Sequence, residues 1–170
     1  MQDILNVFKS ISVKEIIILL TFMCPSTGLM FYFVLKFLDR KIVWQKIFVS
    51  GLIFGSLNLI FRKVYVYYNM QTGTSTIIIA FLFMITLVIY HNVSITRASI
   101  GTLICYILIF AGTPVTLKVV GLTNLTVEQI FSNPLLNIVF GYTEDVFLII
   151  GAIVVVFTKF NINKIIDINN

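Results

Sequence analysis

The sequence predicts an all-α, polytopic membrane protein with five transmembrane helices. The 170 residues are 59% hydrophobic and 11% charged, and the mean hydropathy is +1.04. A soluble domain is usually about 45–50% apolar and about 25% charged. Five apolar runs approach the roughly 20 residues that cross a bilayer, and little polar sequence lies between them. Lipid is therefore the solvent that this composition fits.

The apolar runs define the predicted helices, and the whole chain forms one transmembrane domain. Arg62 and Lys63 stop the second run, and prolines at positions 25 and 114 either hinge or kink the first and fourth helices. We predict spans over residues 16–38, 44–61, 74–90, 98–117 and 145–158.

The one long connection lies between the fourth and fifth spans. Thr126 with Gln129 three residues later is typical of a capping box, so a short helix is expected to start there. Pro134 then breaks or kinks that helix. Apolar residues recur at helical spacing, which predicts an amphipathic helix in the membrane interface over residues 126–140. This segment is either a surface-lying connector or a lid over a ligand site.

The basic residues predict the orientation. The net charge is +5, but Lys and Arg cluster in the loops and form no continuous patch, so we expect no nucleic-acid partner. With five spans and an outside N-terminus, seven basic residues lie in inner segments and five in outer ones. This bias favours a multi-pass protein of a bacterial cytoplasmic membrane with a cytoplasmic C-terminus.

Candidates for catalysis or metal binding are few. His91 ends the third span, and Cys105 follows 14 positions later. Membrane peptidases that mature signalling peptides pair these residue types, but at closer spacing and in a different sequence context. We therefore expect a plain interfacial histidine, no enzyme activity, no metal and no cofactor.

Acidic residues inside a span would indicate a proton or ion path, and the predicted spans hold none in their interior. Glu144 and Asp145 lie at the mouth of the fifth span. They are either a solvated helix start, where negative charge suits the helix dipole, or a site for a cationic ligand.

Gly51 and Gly55 are four residues apart on the second span, and Asn58 lies about a turn beyond them. Such a strip lets another helix approach closely. The partner helix belongs either to the same chain or to a second copy in a homodimer.

The connection before the last span also carries a resemblance. The run Glu128-Gln129-Ile130-Phe131-Ser132-Asn133-Pro134-Leu135-Leu136, followed by Phe140-Gly141, resembles a phrase in Firmicute sensor histidine kinases. That phrase precedes the last helix of their N-terminal membrane regions, in kinases whose dimerisation domain is of the sporulation-phosphotransferase type. The resemblance implies a sensory membrane module. No phosphoacceptor or ATP-binding domain follows in this sequence, so phosphotransfer is not expected of it.

The expected function is therefore a sensory or signal-transduction module that acts through a membrane or cytoplasmic partner. The alternative is a small solute-binding subunit of a transporter, similar to the substrate-capturing components of energy-coupling-factor importers. Binding of a ligand or partner is expected on the long connection, since rigidly held loops often carry such sites. The predicted residues are Glu128, Phe131, Asn133, Pro134, Glu144 and Asp145.

Overall fold

The computed structural model describes residues 12–68, 72–123, 125–126, 129–130, 133–160 and 162. These residues form helices and connecting turns, and they include no strand. Numbered in chain order, the helices are α1 (Val13–Phe37), α2 (Trp44–Tyr68), α3 (Thr72–Ile89), α4 (Ile95–Thr123), α5 (Pro134–Glu144) and α6 (Val146–Thr158). The all-α prediction is confirmed for this part of the chain.

Helix α1 is continuous but changes its winding. Ser12 and Glu15 form a capping box at its start: the Ser12 N–H donates to the Glu15 carboxylate at 2.7 Å. The segment Leu19–Met23 is a π-helix, and Pro25 follows it in the first turn of the resumed α-helix. A proline lacks the N–H that a regular α-helix would use, and a change of hydrogen-bond register before it accommodates that loss. Pro25 therefore does not interrupt the helix.

Helix α2 packs antiparallel on α1 through its glycine strip. A Cβ on Gly51 would lie 2.8 Å from the Cys24 carbonyl oxygen and 3.2 Å from Gly28 Cα. A Cβ on Gly55 would lie 2.9 Å from Cys24 Sγ. The Thr27 hydroxyl lies 2.8 Å from the Gly51 carbonyl oxygen. The strip is thus covered by α1 of the same chain, while Asn58 is half-buried on the same helix.

Successive connections between the helices lie at opposite ends of the bundle. At one end the Phe37 and Phe160 rings lie 6.2 Å apart, and Lys46 Nζ donates to the Tyr90 carbonyl at 3.1 Å. This end therefore gathers the α1–α2 and α3–α4 loops with the end of α6. At the other end, Ile138 of α5 packs on a cluster of residues from α1 and α2: Ile18, Met23 and Leu59.

Three of the described helices, α1, α2 and α4, are long and apolar enough to cross a membrane. A fourth candidate is α5 together with α6, which pass the same test as a pair bent by 49°. The remaining apolar segment, Thr76–Ile89 of α3, is shorter. The described part of the chain therefore suits a membrane-embedded protein with three or four candidate spans, fewer than the five predicted.

The last two helices differ from the prediction. Residues 126–140 were expected to lie in the membrane interface, before a separate last span. The capping box between Thr126 and Gln129 is present, with bonds of 2.9 and 3.2 Å. Asn133, however, caps a new helix that begins at Pro134 and packs against α1 and α4. Helix α5 thus buries Asn137 and Phe140 against protein and leaves Leu135 and Val139 exposed. Helix α6, only 13 residues long, needs α5 to reach a spanning length.

Candidate functional site

The break between α5 and α6 lies within an otherwise apolar pair of helices. Helix α5 ends at Glu144, α6 begins at Val146, and Asp145 stands between them. The Asp145 N–H still bonds to the Gly141 carbonyl at 3.3 Å, and its own carbonyl accepts from the Ile149 N–H at 2.8 Å. The backbone is thus satisfied on both sides of a 49° bend. Such interruptions are tolerated at membrane depth where protein surrounds them.

Asp145 is buried at this break. Its side chain is 4% exposed, and the Ser26 hydroxyl of α1 lies close enough to act as its hydrogen-bonding neighbour. Among the described residues, no hydrogen-bond partner reaches the buried Asp145 Oδ2. The expectation of a solvated helix start is therefore wrong for Asp145. The expectation that the spans hold no acid also fails if the bent pair crosses as one span.

The cost of this burial depends on the charge of the carboxyl group. A neutral polar atom buried without a partner costs about 1–3 kcal/mol. An unpaired buried charge costs more, because it loses its hydration without compensation. The described charge that acts on Asp145 is the neighbouring Glu144 carboxylate, which has the same sign. The surroundings thus favour a neutral carboxyl group over a bare carboxylate.

Helix α4 closes one side of the break. A Cβ on Gly112 would overlap the carbonyl oxygen of Glu144, so only glycine permits this approach. One turn further on, the Thr116 and Thr143 hydroxyls are hydrogen-bonded at 2.8 Å. Pro114 lies between these two contacts, inside a helix that continues through it. A pair of polar and backbone contacts therefore fixes α5 on α4.

The π-helical part of α1 closes the other side. The Tyr142 hydroxyl donates to the Thr21 carbonyl at 2.8 Å, and the Tyr142 ring meets Phe22 edge-on at 5.2 Å. Gly141 is helical, and a Cβ there would overlap the Phe22 ring. The glycine thus allows close packing of α5 on α1. The π-turn thus presents a carbonyl and a ring to α5, in line with the frequent occurrence of π-bulges at functional sites.

The predicted site residues fall into separate groups. Asn133 and Pro134 start α5: the Asn133 side chain accepts from the Leu135 N–H at 3.0 Å. Glu144 is exposed and adjoins the buried Asp145. Glu128 and Phe131 lie outside the described residues. Of the four members of the predicted set that the structure describes, Glu144 and Asp145 belong to the break.

The sequence analysis missed the groups that surround Asp145. One signal could have indicated the break, though not its neighbours on α1 and α4: a polar run from Tyr142 to Asp145 separates two apolar stretches, each too short to span alone. Interrupted apolar segments of this kind often mark membrane binding sites. The missed residues are Thr21, Ser26, Gly112, Thr116, Tyr142 and Thr143.

His91 lies apart from this break, in the α3–α4 loop. Its Nε2 is 2.9 Å from Ser50 Oγ, and its ring stacks on Phe31 at 5.3 Å. Burial, together with the nearby Lys46 charge, lowers the pKa of His91 to about 4. The ring is therefore neutral at pH 7 and packs against α1 and α2 at the end of the bundle. Within the described residues, no three His, Cys, Asp or Glu side chains group as metal ligands would.

Comparison of the chain with protein-family profiles, with curated proteins and with solved structures found no match.

Proposed function

We propose that this chain is a non-enzymatic sensory or signal-transduction module of a bacterial cytoplasmic membrane, and that it acts through a partner protein. The observation that carries the proposal is the break at Asp145. A helix interrupted at a buried polar residue can take two arrangements, and α6 runs directly from the break toward the C-terminal segment. A signal at the break would change the angle of α6.

The contacts at the break suit such a switch. Helix α5 is held by a few specific contacts, namely Thr116 with Thr143, Tyr142 with Thr21, and the close approach at Gly112. Packed interfaces of this kind change between discrete arrangements and deform little in between. Loss of one or two contacts would therefore free α5 from α4 while α1 and α2 stay packed through their glycines.

The proposal includes five membrane crossings, with α5 and α6 as one broken span. Its support is the arrangement of the two bundle ends. The α1–α2 loop, the α3–α4 loop and the end of α6 share one end, as alternate crossings require. These segments also carry the larger share of Lys and Arg, so that end is assigned to the cytoplasm.

A transport subunit is the second candidate, and the same break favours it. Discontinuous membrane helices hold substrate or coupling ions near the membrane midplane in many transporters. The two candidates differ in what the break binds and in the consequence of that binding. A transport subunit carries a solute across, whereas a sensory module passes a change of shape to another protein.

A reversible cross-link at the break tests the proposal. In a background with Cys24→Ala and Cys105→Ala, the pair Thr116→Cys and Thr143→Cys would join α4 to α5 on oxidation, since the native hydroxyls are 2.8 Å apart. A photo-crosslinking residue at Phe157, which is 82% exposed on α6, then reports partner contacts in cells. We expect oxidation to change the cross-linked partner and reduction to restore it.

The matched control is a reversible cross-link (a lock) between two helices away from the break. Met84→Cys with Ser99→Cys joins α3 to α4 through a short, reducible bifunctional thiol reagent, which bridges the gap left because a cysteine sulfur lies nearer the backbone than the native Met84 sulfur, 3.2 Å from the Ser99 hydroxyl. This lock should leave the partner contact unchanged. Identical cross-linking in the oxidised and reduced forms of the test pair would contradict the signalling proposal. A co-purifying solute that is lost on oxidation, with unchanged partner contacts, would instead support the transport subunit.

A further inference from the structure

We propose that Asp145 is a proton-binding site, which is neutral while the break is closed and releases its proton when α5 separates from α4. The inference rests on the proposed function in one respect: proton binding would be the signal that the broken span passes on. The binding site itself can be tested without any partner.

The carboxyl group of Asp145 is deeply buried. Asp145 is 4% exposed, and its Oδ2 is buried with no hydrogen-bond partner among the described residues. A carboxylate in such a place has lost its water, and the described residues around it supply no positive charge in compensation. Proton binding removes the charge and so allows the closed packing.

Polar and titratable groups lie near Asp145 on the helices packed around it. Helix α1 contributes the neutral hydroxyl of Ser26, and α4 contributes the buried thiol of Cys105. Helix α5 contributes Tyr142 and the Glu144 carboxylate. The one charge in this set is negative and opposes ionisation of Asp145. The set thus favours proton binding and gives an ionised Asp145 little support.

A metal ion fits the site less well. Ca²⁺ and Mg²⁺ take about six or more oxygen ligands. The described oxygen that supports the Asp145 carboxyl group is the Ser26 hydroxyl, and the Gly141 carbonyl is already used by the Asp145 N–H. One carboxyl group and one hydroxyl suit a single proton.

Opening of the break would favour the ionised form of Asp145 over the neutral form. The contacts that close it on the α4 side are the approach of Gly112 to Glu144 and the Thr116–Thr143 hydrogen bond. If α5 moves away there, water reaches Asp145, the carboxyl O–H bond breaks, and the proton passes to water. The resulting carboxylate is then hydrated and resists reclosure, so proton occupancy and the arrangement of α5 and α6 are coupled.

Infrared spectroscopy of the full chain in lipid vesicles tests the site directly. The carbonyl stretch of a protonated carboxylic acid is followed while pH is raised from about 4 to about 9, beyond the usual range of carboxyl groups. We expect a band that persists above the pH at which exposed acids ionise and that is lost in Asp145→Asn. Glu144→Gln, which changes the adjacent exposed acid, should keep the band. Ser26→Ala should keep it at a shifted frequency, because the acid loses a hydrogen-bond partner.

Several outcomes would overturn the inference. The same persistent band in Asp145→Asn would assign it to another acid, and no persistent band in the parent would mean that Asp145 is ionised in the folded chain. Loss of the band when Na⁺ replaces choline in the buffer at constant pH would indicate that the site binds a metal cation. If the band is present but the Thr116–Thr143 lock leaves partner contacts unchanged, the proton site stands and the signalling proposal fails. If the band is absent but the lock changes those contacts, the signalling proposal stands alone.

Discussion

At the scale of single residues, burial favours the neutral form of two ionisable side chains at different places in the bundle. Asp145 lies at the break of the last helix pair, whereas His91 lies in a loop and packs on Phe31 and Ser50. His91 is the only histidine in the chain, so its contribution to stability can be isolated by one substitution. Its lowered pKa fixes the sign of that contribution.

We expect His91 to make the protein less stable in acid. The pKa of an unfolded histidine is about 6.5, and burial with the Lys46 charge lowers the pKa of folded His91 to about 4. Between these values the unfolded chain binds a proton that the folded chain does not. The free energy of unfolding therefore falls as pH drops from about 6.5 to about 4, and it is insensitive to His91 above that window.

The measurement is thermal unfolding in detergent at stepped pH, for the parent and for His91→Gln. Glutamine can still bond to the Ser50 hydroxyl but does not titrate. Because Asp145 is present in both proteins, its own pH dependence cancels in the difference. The melting temperature of the parent minus that of His91→Gln should decrease as pH falls through the window. Two parallel curves would show that His91 does not titrate against burial.

At the scale of helices, the close approach of α5 to α4 depends on Gly112. Replacing Gly112 with Ala should destabilise the fold by about 1–3 kcal/mol, the usual cost of overpacking a tight contact, since the new Cβ would overlap the Glu144 carbonyl. Gly121→Ala is the matched control on the same helix, because a Cβ there meets nothing within 4 Å. It should be neutral or stabilising by up to about 1 kcal/mol. Equal effects of the two changes on unfolding by denaturant would contradict the packing of α5 on α4.

The sequence predicted the long helices well, for a physical reason. Apolar length alone defines a membrane-compatible helix, so the predicted spans 16–38, 44–61 and 98–117 recur as Val13–Phe37, Trp44–Tyr68 and Ile95–Thr123. All three observed helices extend beyond these predictions at one end or both, since polar residues such as Lys118 continue a helical backbone without loss of hydrogen bonds.

The break could not be predicted in the same way. The sequence of a polar run such as Tyr142 to Asp145 does not indicate whether water or protein surrounds the run in the folded chain. Near Asp145 lie Ser26, over a hundred residues earlier in the sequence, and α4, which meets the preceding residue Glu144 at Gly112. Those contacts depend on the relative placement of three helices, which hydropathy does not encode. Local signals such as the Thr126–Gln129 capping box were readable because both partners lie within one turn.

At the scale of the whole molecule, the packing arranges the chain between two ends. The loop after α1, the loop after α3 and the end of α6 lie together, as the Lys46–Tyr90 and Phe37–Phe160 contacts indicate. Helix α4 runs away from that end and finishes at Thr123. Whether α5 and α6 cross the membrane once or return to the side where they began therefore decides the number of crossings.

Cysteine labelling distinguishes these two topologies. In the Cys24→Ala, Cys105→Ala background, single cysteines replace Lys41 in the α1–α2 loop, Thr123 at the end of α4, and Phe160 after α6, all three exposed. A single crossing by the bent pair predicts that a membrane-impermeant reagent added to intact cells labels Thr123→Cys. Lys41→Cys and Phe160→Cys should react only after the membrane is made permeable, since Lys and Arg concentrate on the cytoplasmic side. Lys41→Cys is the matched control, because its side does not depend on how α5 and α6 run. Labelling of Phe160→Cys together with Thr123→Cys would make the pair re-entrant, and the proposal of five crossings would then be abandoned.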